Sequence, residues 1–395
     1  MKVALVSPLP PTHSGIADYA SRLGRELARH IDVVEIDPPD LDRIDRCDVA
    51  LYHMGNSGLH GAIYEAALAK PGVVVLHDAM LQHFALGWFS RQQYVEEFVY
   101  NYGEWSRDRA EEFWAQRRVS AADQRYFRHP LLRRLVERSR AAIVHNPAAA
   151  RMARQAVPAG NAAPPVHEVP HFIDKPAAIS PQERQAIRSN LGVADEEVLI
   201  SCLGYLRPAK RVRALLDAAR LLSAPHRLLL GGEFSAPEYE QALSPRLDNE
   251  RVIRLPYVGD SEFERLIEAT DIGVNLRHPS AGETSGLVMR MMAHGKPVLV
   301  TRNEENSTLP DDAVIRVDPG ESETEMLACY LQWLAEDADA RACFGRNAAA
   351  YVNRRHALED VARRYLGVLE THCPPKNSAL PFTDRGASMV ESNRD

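Results

Sequence analysis

Glu283 is an acidic residue placed directly before Thr284, Ser285 and Gly286, where an apolar, helix-like run begins. The backbone N–H groups at the start of a helix are well placed to bind a phosphate. An ionised carboxylate only accepts hydrogen bonds and repels phosphate, so the partners expected for Glu283 are hydroxyl groups. A phosphate beside a polyol and a carboxylate describes a sugar nucleotide. The alternative is that Glu283 only complements the positive end of the helix dipole.

A cationic turn forms the second candidate. Arg207, Lys210 and Arg211 follow a strand-like run that ends at Gly204, and they precede an amphipathic helical pattern. Positive charge at the start of a helix opposes its dipole, so this placement is unfavourable unless an anion is bound there. A diphosphate suits both the lysine point charge and the arginine fork. The alternative is a solvated basic turn.

Two further candidates lie in the first half of the chain. Gly15 follows Ser14 at a strand-to-helix turn, where the absence of a side chain lets the backbone approach an anion. His77 ends the apolar run GVVVLH and could hydrogen-bond a hydroxyl group or an oxyanion at the end of a strand. The alternatives are that Gly15 only makes the turn and that His77 is a structural hydrogen-bonding residue.

Metal ligation is not indicated by the sequence. The Asp-x-Asp pairs at Asp40–Asp42 and Asp337–Asp339 fit solvated surface better than a metal-diphosphate site. The 5 cysteines are scattered without a Cys-x-x-Cys pair, which argues against a zinc cluster and against a disulfide framework. We therefore predict no metal and no cofactor.

The elements that must position these residues alternate between strand-like and helix-length segments. Apolar runs such as KVALVS and GVVVLHD in the first half, and VLISCLG and KPVLVTR in the second, are separated by helical patterns. This alternation predicts parallel sheets, and 395 residues exceed one ordinary core. The predicted fold class is α/β, with two Rossmann-like doubly wound domains that face a cleft. Ligands of such sheets bind beyond the carboxyl ends of the strands.

The domain limits are set by composition. A proline-rich passage begins at residue 169 and separates a first domain, 1–172, from a second domain, 197–355, through a linker at 173–196. A helix over 356–373 is expected to cross back to the first domain. Residues 374–395 lack a sustained apolar period and are predicted to be disordered.

The net charge and the hydropathy of the chain limit the ligands and the cellular locations that can be expected. The formal net charge of −7 argues against non-specific nucleic-acid binding. No run approaches the roughly 18 apolar residues of a membrane span, and the interpretation is a cytoplasmic protein. Segment 125–140 combines leucines with several arginines. It predicts either a peripheral contact with the inner face of the membrane or an ordinary surface helix.

Four motifs taken together resemble the retaining glycosyltransferases of the GT-B fold, in the family-four group. They are SGIADY, PGVVVLHD, LGYLRPAKR and GETSGLVMRMMAHGKPVLV, and the resemblance covers about residues 2–372. It implies transfer of a sugar from a nucleoside diphosphate donor, uridine being favoured over guanosine, to a hydroxyl of a saccharide or lipid-linked acceptor. It also implies a metal-independent reaction in polysaccharide biosynthesis, with the acceptor on the first domain and the nucleotide sugar on the second.

The same resemblance implies the roles of individual residues. His77 would line the reaction centre, Lys210 would neutralise the leaving diphosphate, and Glu283 would bind hydroxyls of the donor sugar. The full donor-binding set comprises Gly15, Arg207, Lys210, Arg211, Tyr257, Val258, Glu283, Thr284, Ser285 and Gly286.

Two positions depart from the family pattern: Tyr205 stands after Gly204, where an arginine is often found, and the departure at 291 matters more. A second glutamate, eight residues after the first, typically holds the nucleoside ribose, but Met291 stands there, preceded by Arg290. Ribose recognition would then have to come from elsewhere. Two other functions stay open: a sugar-nucleotide epimerase of the same fold, and a non-catalytic nucleotide-sugar-binding subunit, which the methionine suggests.

Overall fold

The chain folds into two parallel β-sheets of six strands each, in a computed structural model that describes residues 1–12, 14–121, 123–177 and 179–372. The tail predicted at 374–395 lies outside the described residues. All strand pairs are parallel, and helices connect the strands. The predicted fold class, two doubly wound α/β domains, is therefore confirmed. No helix in the described ranges has the length and apolar character needed to cross a membrane.

The first sheet has the strand order β2-β1-β3-β4-β5-β6. Its strands are β1 (Lys2–Val6), β2 (Asp32–Ile36), β3 (Val49–Met54), β4 (Val73–Leu76), β5 (Ala141–Val144) and β6 (Val166–Glu168). Its helices are α1 (Gly15–Leu27), α2 (Gly61–Ala69), α3 (Gln82–Trp88), α4 (Arg91–Tyr102), α5 (Arg107–Ala115), α6 (Arg133–Arg138) and α7 (Pro147–Ala156). Short 3-10 helices cover Pro38–Arg46, Gly58–His60, Glu104–Ser106, Arg117–Val119 and Tyr126–Arg128.

The second sheet has the order β12-β11-β10-β7-β8-β9, the arrangement typical of a Rossmann fold. Its strands are β7 (Val198–Leu203), β8 (His226–Gly231), β9 (Val252–Leu255), β10 (Ile272–Asn275), β11 (Val298–Thr301) and β12 (Val314–Val317). Its helices are α8 (Pro181–Asn190), α9 (Val212–Ala219), α10 (Pro237–Leu247), α11 (Asp260–Ala269), α12 (Gly286–Ala293), α13 (Glu323–Glu336) and α14 (Ala338–Arg355), with a 3-10 turn at Pro208–Lys210. The chain ends its described part in α15 (Leu358–His372).

Strand order places the predicted site residues at the points where the chain reverses direction across each sheet. In the first sheet β1 lies between β2 and β3, and Gly15 follows β1. In the second sheet β7 lies between β8 and β10, so the loops that carry Lys210 and Glu283 start from adjacent strands. Loops that diverge from adjacent parallel strands leave a crevice at the carboxyl edge, where ligands bind.

Helix α15 packs against the first domain, as the sequence predicts. The hydroxyl groups of Tyr365 and Tyr19, the latter on α1, lie 3.1 Å apart in the interior. Val361, Tyr365 and Leu369 share a buried cluster with Val3 and other residues of the first sheet. Burial of these apolar side chains therefore attaches α15 to the first domain.

The stretch predicted as a linker, 173–196, contains helix α8. A capping box starts this helix, because Ser180 and Glu183 exchange side-chain and backbone hydrogen bonds. Arg184 and Arg188 on α8 then bind the two carboxylate oxygens of Asp271, at 2.5 and 2.7 Å. Much of this stretch is thereby attached to the second domain.

The prediction of one basic helix over 125–140 is wrong. Only a 3-10 turn at Tyr126–Arg128 and the six residues of α6 are helical. Pro130 disfavours helical backbone in the residue before it, and Leu131 has a φ of 54°, which interrupts the helix. The arginines are also bound within the domain, in the pairs Arg125–Glu112, Arg133–Glu137 and Arg134–Glu97.

Candidate active site between the domains

A cleft of about 390 Å³ separates the two domains at the carboxyl edges of both sheets. The first domain contributes Gly15, Tyr19, Arg22, His77, Asp78, His145 and His171 to its walls. The second domain contributes Asp260, Arg277, Glu283, Thr284, Gly286, Leu287 and Arg290. The predicted residues Gly15, His77, Glu283, Thr284 and Gly286 are thus brought together from distant parts of the chain.

Glu283 lies at the centre of this arrangement, with a side chain only 10% exposed. One carboxylate oxygen accepts from Ala281 N at 2.7 Å and from Ser280 Oγ at 3.2 Å. The other accepts from the guanidinium groups of Arg277 and, at 3.4 Å, Arg207. Burial alone would raise the pKa of Glu283, but these two guanidinium groups outweigh it and hold the pKa below its ordinary value. The group is therefore an ionised acceptor.

Arg277 is a site residue that the sequence reasoning missed. It is the second residue after β10, and its backbone N–H donates to Thr301 Oγ1 at 2.9 Å, which anchors it to the neighbouring strand β11. Its guanidinium binds Glu283 and lies 3.4 Å from Ser285 Oγ. The available signal was its position at the end of a strand, next to the loop that carries Glu283.

The side chains of the cationic turn after β7 point in two different directions. Lys210 is buried, and its ammonium group donates to the carbonyl of Leu203 at the strand end. Burial lowers its pKa to about 8, with smaller effects from neighbouring groups. Gly204 favours this approach, because a Cβ there would lie a tight 3.2 Å from the Lys210 Nζ and its φ of +83° also disfavours a side chain. Arg211 instead points to α13, where its Nε binds Glu323 at 2.7 Å.

Two helix starts face the cleft. Ser285 caps α12, its Oγ accepting from Val288 N at 3.4 Å and from Asn275 Nδ2 at 3.0 Å. Ser14 caps α1, and no atom lies within 4 Å of the position where a Cβ on Gly15 would stand. The first N–H groups of a helix have no partner inside it, so both starts offer donors to an anion in the cleft.

His77 and Asp78 line the cleft on the side of the first domain. Nε2 of His77 lies 2.9 Å from Nδ1 of His53 on β3. Burial, followed by neighbouring histidines, lowers the pKa of His77 well below its ordinary value, so the ring is neutral at pH 7. Asp78 accepts from Asn56 N at 2.8 Å, and burial together with the charge of Glu283 raises its pKa to about 6. The sequence reasoning did not assign a role to Asp78.

On α12, Arg290 and not Met291 borders the cleft. Met291 is completely buried and packs below Gly273 of β10, so it does not face the cleft. Arg290, one residue earlier, lines the cleft and binds Glu264 at 2.7 Å and Asp260 at 2.6 Å. Tyr257 and Val258, predicted to meet the base, lie in the loop between β9 and α11 and are not among the residues that line this cleft.

Polar contacts across the cleft hold the two domains together. Asn146 at the start of α7 donates to the carbonyl of Gly282 and to Thr284 Oγ1, both at 3.0 Å. Arg22 on α1 binds Asp260 on α11 at 3.0 Å. The loop before α12 is therefore positioned by both domains. Within the described ranges, no group of three or more histidine, cysteine or acidic side chains is arranged to hold a metal ion.

Comparison with known sequences gives a match in the second domain. Residues 197–337 match the family described as "Glycosyl transferases group 1". A curated relative, the D-inositol 3-phosphate glycosyltransferase of Mycobacterium sp. (strain KMS), is 32% identical over 153 residues, which are 37% of this chain and 34% of the relative. The chain thus spans about a third of the length of the curated relatives it matches.

Comparison with solved structures extends over both domains. Anabaena HepE in complex with UDP-glucose aligns with a TM-score of 0.68 and 17% identity, over 94% of this chain and 100% of that one. Sucrose-phosphate synthase from Thermosynechococcus elongatus aligns with a TM-score of 0.65 and 15% identity, over 94% and 98% of the two chains. These likenesses show the fold. The second domain is therefore a glycosyl transferases group 1 domain, in a chain that has the two-domain GT-B fold.

Proposed function

We propose that this protein is a retaining glycosyltransferase, which moves a sugar from a nucleoside diphosphate to a hydroxyl group of a saccharide or lipid-linked acceptor. The observation that carries the proposal is the convergence at one cleft of an ionised Glu283 and two helix starts, with Arg207 bound to Glu283 from the neighbouring loop that also holds the buried Lys210. A carboxylate for sugar hydroxyls and donors for a diphosphate are then adjacent. The group 1 match of the second domain supports the same assignment.

The reaction follows from where charge develops. When the bond between the anomeric carbon and the diphosphate breaks, negative charge grows on the phosphate oxygens and positive charge on the sugar ring. Arg207, Lys210 and the N–H groups at residues 284–286 stabilise the former, because preorganised donors gain most where charge appears. These groups supply the charge that a divalent ion supplies elsewhere, so we propose a metal-independent reaction.

Retention is proposed from the resemblance of the four motifs to retaining glycosyltransferases, and it needs no protein nucleophile if the acceptor approaches from the side of the leaving group. The acceptor oxygen attacks the face that the diphosphate leaves, and its proton passes to an oxygen of the departing phosphate. Glu283, bound by Arg277 and Arg207, would remain an acceptor for hydroxyls of the donor sugar throughout. His77 would contact the same sugar from the first domain.

The donor and the acceptor are assigned to different domains. We propose that the second domain binds the nucleotide sugar and that the first domain binds the acceptor, with uridine favoured as the base. The solved structure of HepE holds UDP-glucose, which supports this choice. We further propose a cytoplasmic enzyme. A lipid-linked acceptor would bring the first domain to the inner membrane face.

A panel of nucleotides and nucleotide sugars in a thermal-shift assay tests the donor class, since a ligand that binds only the folded state raises its melting temperature. The expected result is selective stabilisation by UDP and one UDP-sugar, unchanged by EDTA. NMR of the product formed with that donor then reports the anomeric configuration. An inverted product would contradict the retaining mechanism, and stabilisation by none of the panel would contradict the transferase assignment.

The two alternative functions predict different products. An epimerase would change the sugar of the donor without any acceptor. A non-catalytic subunit would bind the nucleotide but would neither transfer nor slowly hydrolyse the sugar. Incubation of the selected donor alone, followed by chromatography of the nucleotide sugars, separates both from a transferase, which releases free nucleotide slowly.

A further inference from the structure

His53 and His77 form a directly bonded pair beneath the cleft. His53 lies on β3, opposite Val75 of the neighbouring strand β4, and His77 is the first residue after β4. Their rings are nearly parallel, with centroids 5.2 Å apart and an angle of 23°, and Tyr19 packs edge-on against His77 at 4.8 Å. The 2.9 Å contact between Nδ1 of His53 and Nε2 of His77 is therefore supported by the near-parallel rings and by the packing of Tyr19.

Both rings are neutral, so this contact contains a single proton. His53 is completely buried, and burial lowers its pKa to about 3. Burial also keeps the pKa of His77 well below its ordinary value. A neutral imidazole has one N–H and one bare nitrogen. The shared proton therefore sits either on His53 Nδ1, which makes His77 the acceptor, or on His77 Nε2, which makes His53 the acceptor.

The environment of the second nitrogen of His53 decides between these arrangements. Nε2 of His53 is buried without a hydrogen-bond partner among the described residues. A proton there would be an orphaned buried donor, which is rarer and more costly than an unused acceptor. His53 therefore carries its proton on Nδ1 and donates it to Nε2 of His77. His77 must then carry its own proton on Nδ1.

The other histidines of the cleft have the opposite role. Nδ1 of His145 donates to the carbonyl of Val169 at 2.9 Å, and Nδ1 of His171 donates to the carbonyl of Phe172 at 2.7 Å. Each therefore has a bare Nε2. In His77, which also lines the cleft, Nδ1 makes no hydrogen bond to residues 1–12, 14–121, 123–177 or 179–372. It is a donor for a ligand.

We propose that His53 is a positioning residue, which holds His77 in the Nδ1–H tautomer so that His77 donates a hydrogen bond to an oxygen of the bound sugar. This inference rests on the proposed function for the identity of the ligand. It excludes His77 as a general base in the resting enzyme, because the nitrogen available to the ligand already holds a proton. The partner of the ring thereby determines what the ring can do.

The test is a tautomer measurement on protein labelled with 15N in its histidines, with His77→Gln used to assign the His77 signals. A long-range 1H–15N spectrum distinguishes protonated from bare ring nitrogens and needs no turnover. We expect a protonated Nδ1 and a bare Nε2 at His77. His53→Leu removes the bond, His53→Asn can replace it with its amide N–H, and His60→Gln serves as a control at another buried histidine.

The same variants are then compared in activity. We expect His53→Leu to mix the tautomers of His77 and to lower kcat roughly 10-fold, the scale of losing an orienting partner of a functional histidine. His53→Asn should restore both readouts, and the melting-temperature rise caused by UDP should be similar in all variants. A protonated Nε2 at wild-type His77 would overturn the proposal, as would a Leu variant that leaves both readouts unchanged or an Asn variant no better than Leu.

These outcomes are independent of the proposed reaction. If no donor supports transfer but His77 carries its proton on Nδ1, then the transferase proposal fails and the positioning role of His53 stands. If transfer proceeds while His77 carries its proton on Nε2, the reverse holds.

Discussion

Arg277 and Glu283, six residues apart in the chain, form a largely buried ion pair just beyond the carboxyl end of β10. Their side chains are 19% and 10% exposed, and Arg207 joins them from the neighbouring loop. The carboxylate is thereby fixed in position before any ligand arrives. Preorganisation of this kind is what a site needs if its acceptor is to select hydroxyl groups by geometry.

Replacement of Glu283 by glutamine should reduce both activity and stability. The substitution keeps the shape but leaves Arg277 without its buried counter-charge, and losing a buried hydrogen-bonded charge costs about 1 to 3 kcal/mol. Urea unfolding at pH 7 measures this change. The matched control is Glu304→Gln, since Glu304 forms an exposed pair with Arg151 that should contribute less than about 1 kcal/mol. Equal effects in both variants would contradict the assigned role.

The pH dependence of stability follows from the same pair. Because the folded-state pKa of Glu283 is depressed below 4.5, its stabilising contribution is complete above pH 4.5 and is lost as the pH falls through the folded-state value. In Glu283→Gln this part of the acid destabilisation should be absent. Urea midpoints of the two proteins should therefore converge as the pH decreases below 4.5.

Asp78 should show the opposite dependence. Its pKa is raised from 3.8 to about 6 by burial and by the charge of Glu283, so the folded state binds more protons than the unfolded state between these values. Its contribution to stability is present below pH 3.8 and lost as the pH rises through about 6. Relative to Asp78→Asn, the wild type should lose on the order of 2 kcal/mol between pH 4 and pH 7. A constant difference across this range would contradict the raised pKa.

Lys210 should be required in its charged form. Lys210→Ala should cost on the order of 2 to 4 kcal/mol of barrier, as removal of one preorganised donor does, and near-full turnover would contradict its role. Because its pKa is lowered to about 8, kcat/KM should fall as the pH rises through that value. Lys210→Arg should lose this decline, since arginine stays charged. Arg213→Ala is the control, at an exposed cation of the following helix.

Gly282 should be sensitive to a single added methyl group. Its φ is +76°, and a Cβ would lie 2.8 Å from the Cβ of Ala79 and 3.1 Å from the sulfur of Met152, both in the first domain. Gly192→Ala is a matched control, with a φ of +69° and open space around it. Both variants incur backbone strain of about 1 to 2 kcal/mol. Only Gly282→Ala should also raise the KM for the donor and widen the domain separation measured by small-angle scattering.

The alternation of strand-like and helical segments along the chain was sufficient to predict the architecture. Apolar runs such as that of β7, buried along its whole length, alternate with amphipathic helices, and this alternation is a local property that needs no tertiary information. The candidates Gly15, His77, Lys210 and Glu283 were found for the same reason, because each lies between the end of a strand and the following helix or begins that helix. Arg277 had a similar position but was overlooked beside the better-known motif.

The order of the elements, and the strand ends where ligands can bind, therefore follow from local patterns in the chain. Which side chains meet at those strand ends depends on how the elements pack together. Arg290 faces the cleft and Met291 the core because successive residues of a helix point about 100° apart, so the phase of α12 decides between them. His53 reaches His77, and Arg211 turns to Glu323, through contacts between separate elements, and such contacts leave no local pattern in a chain.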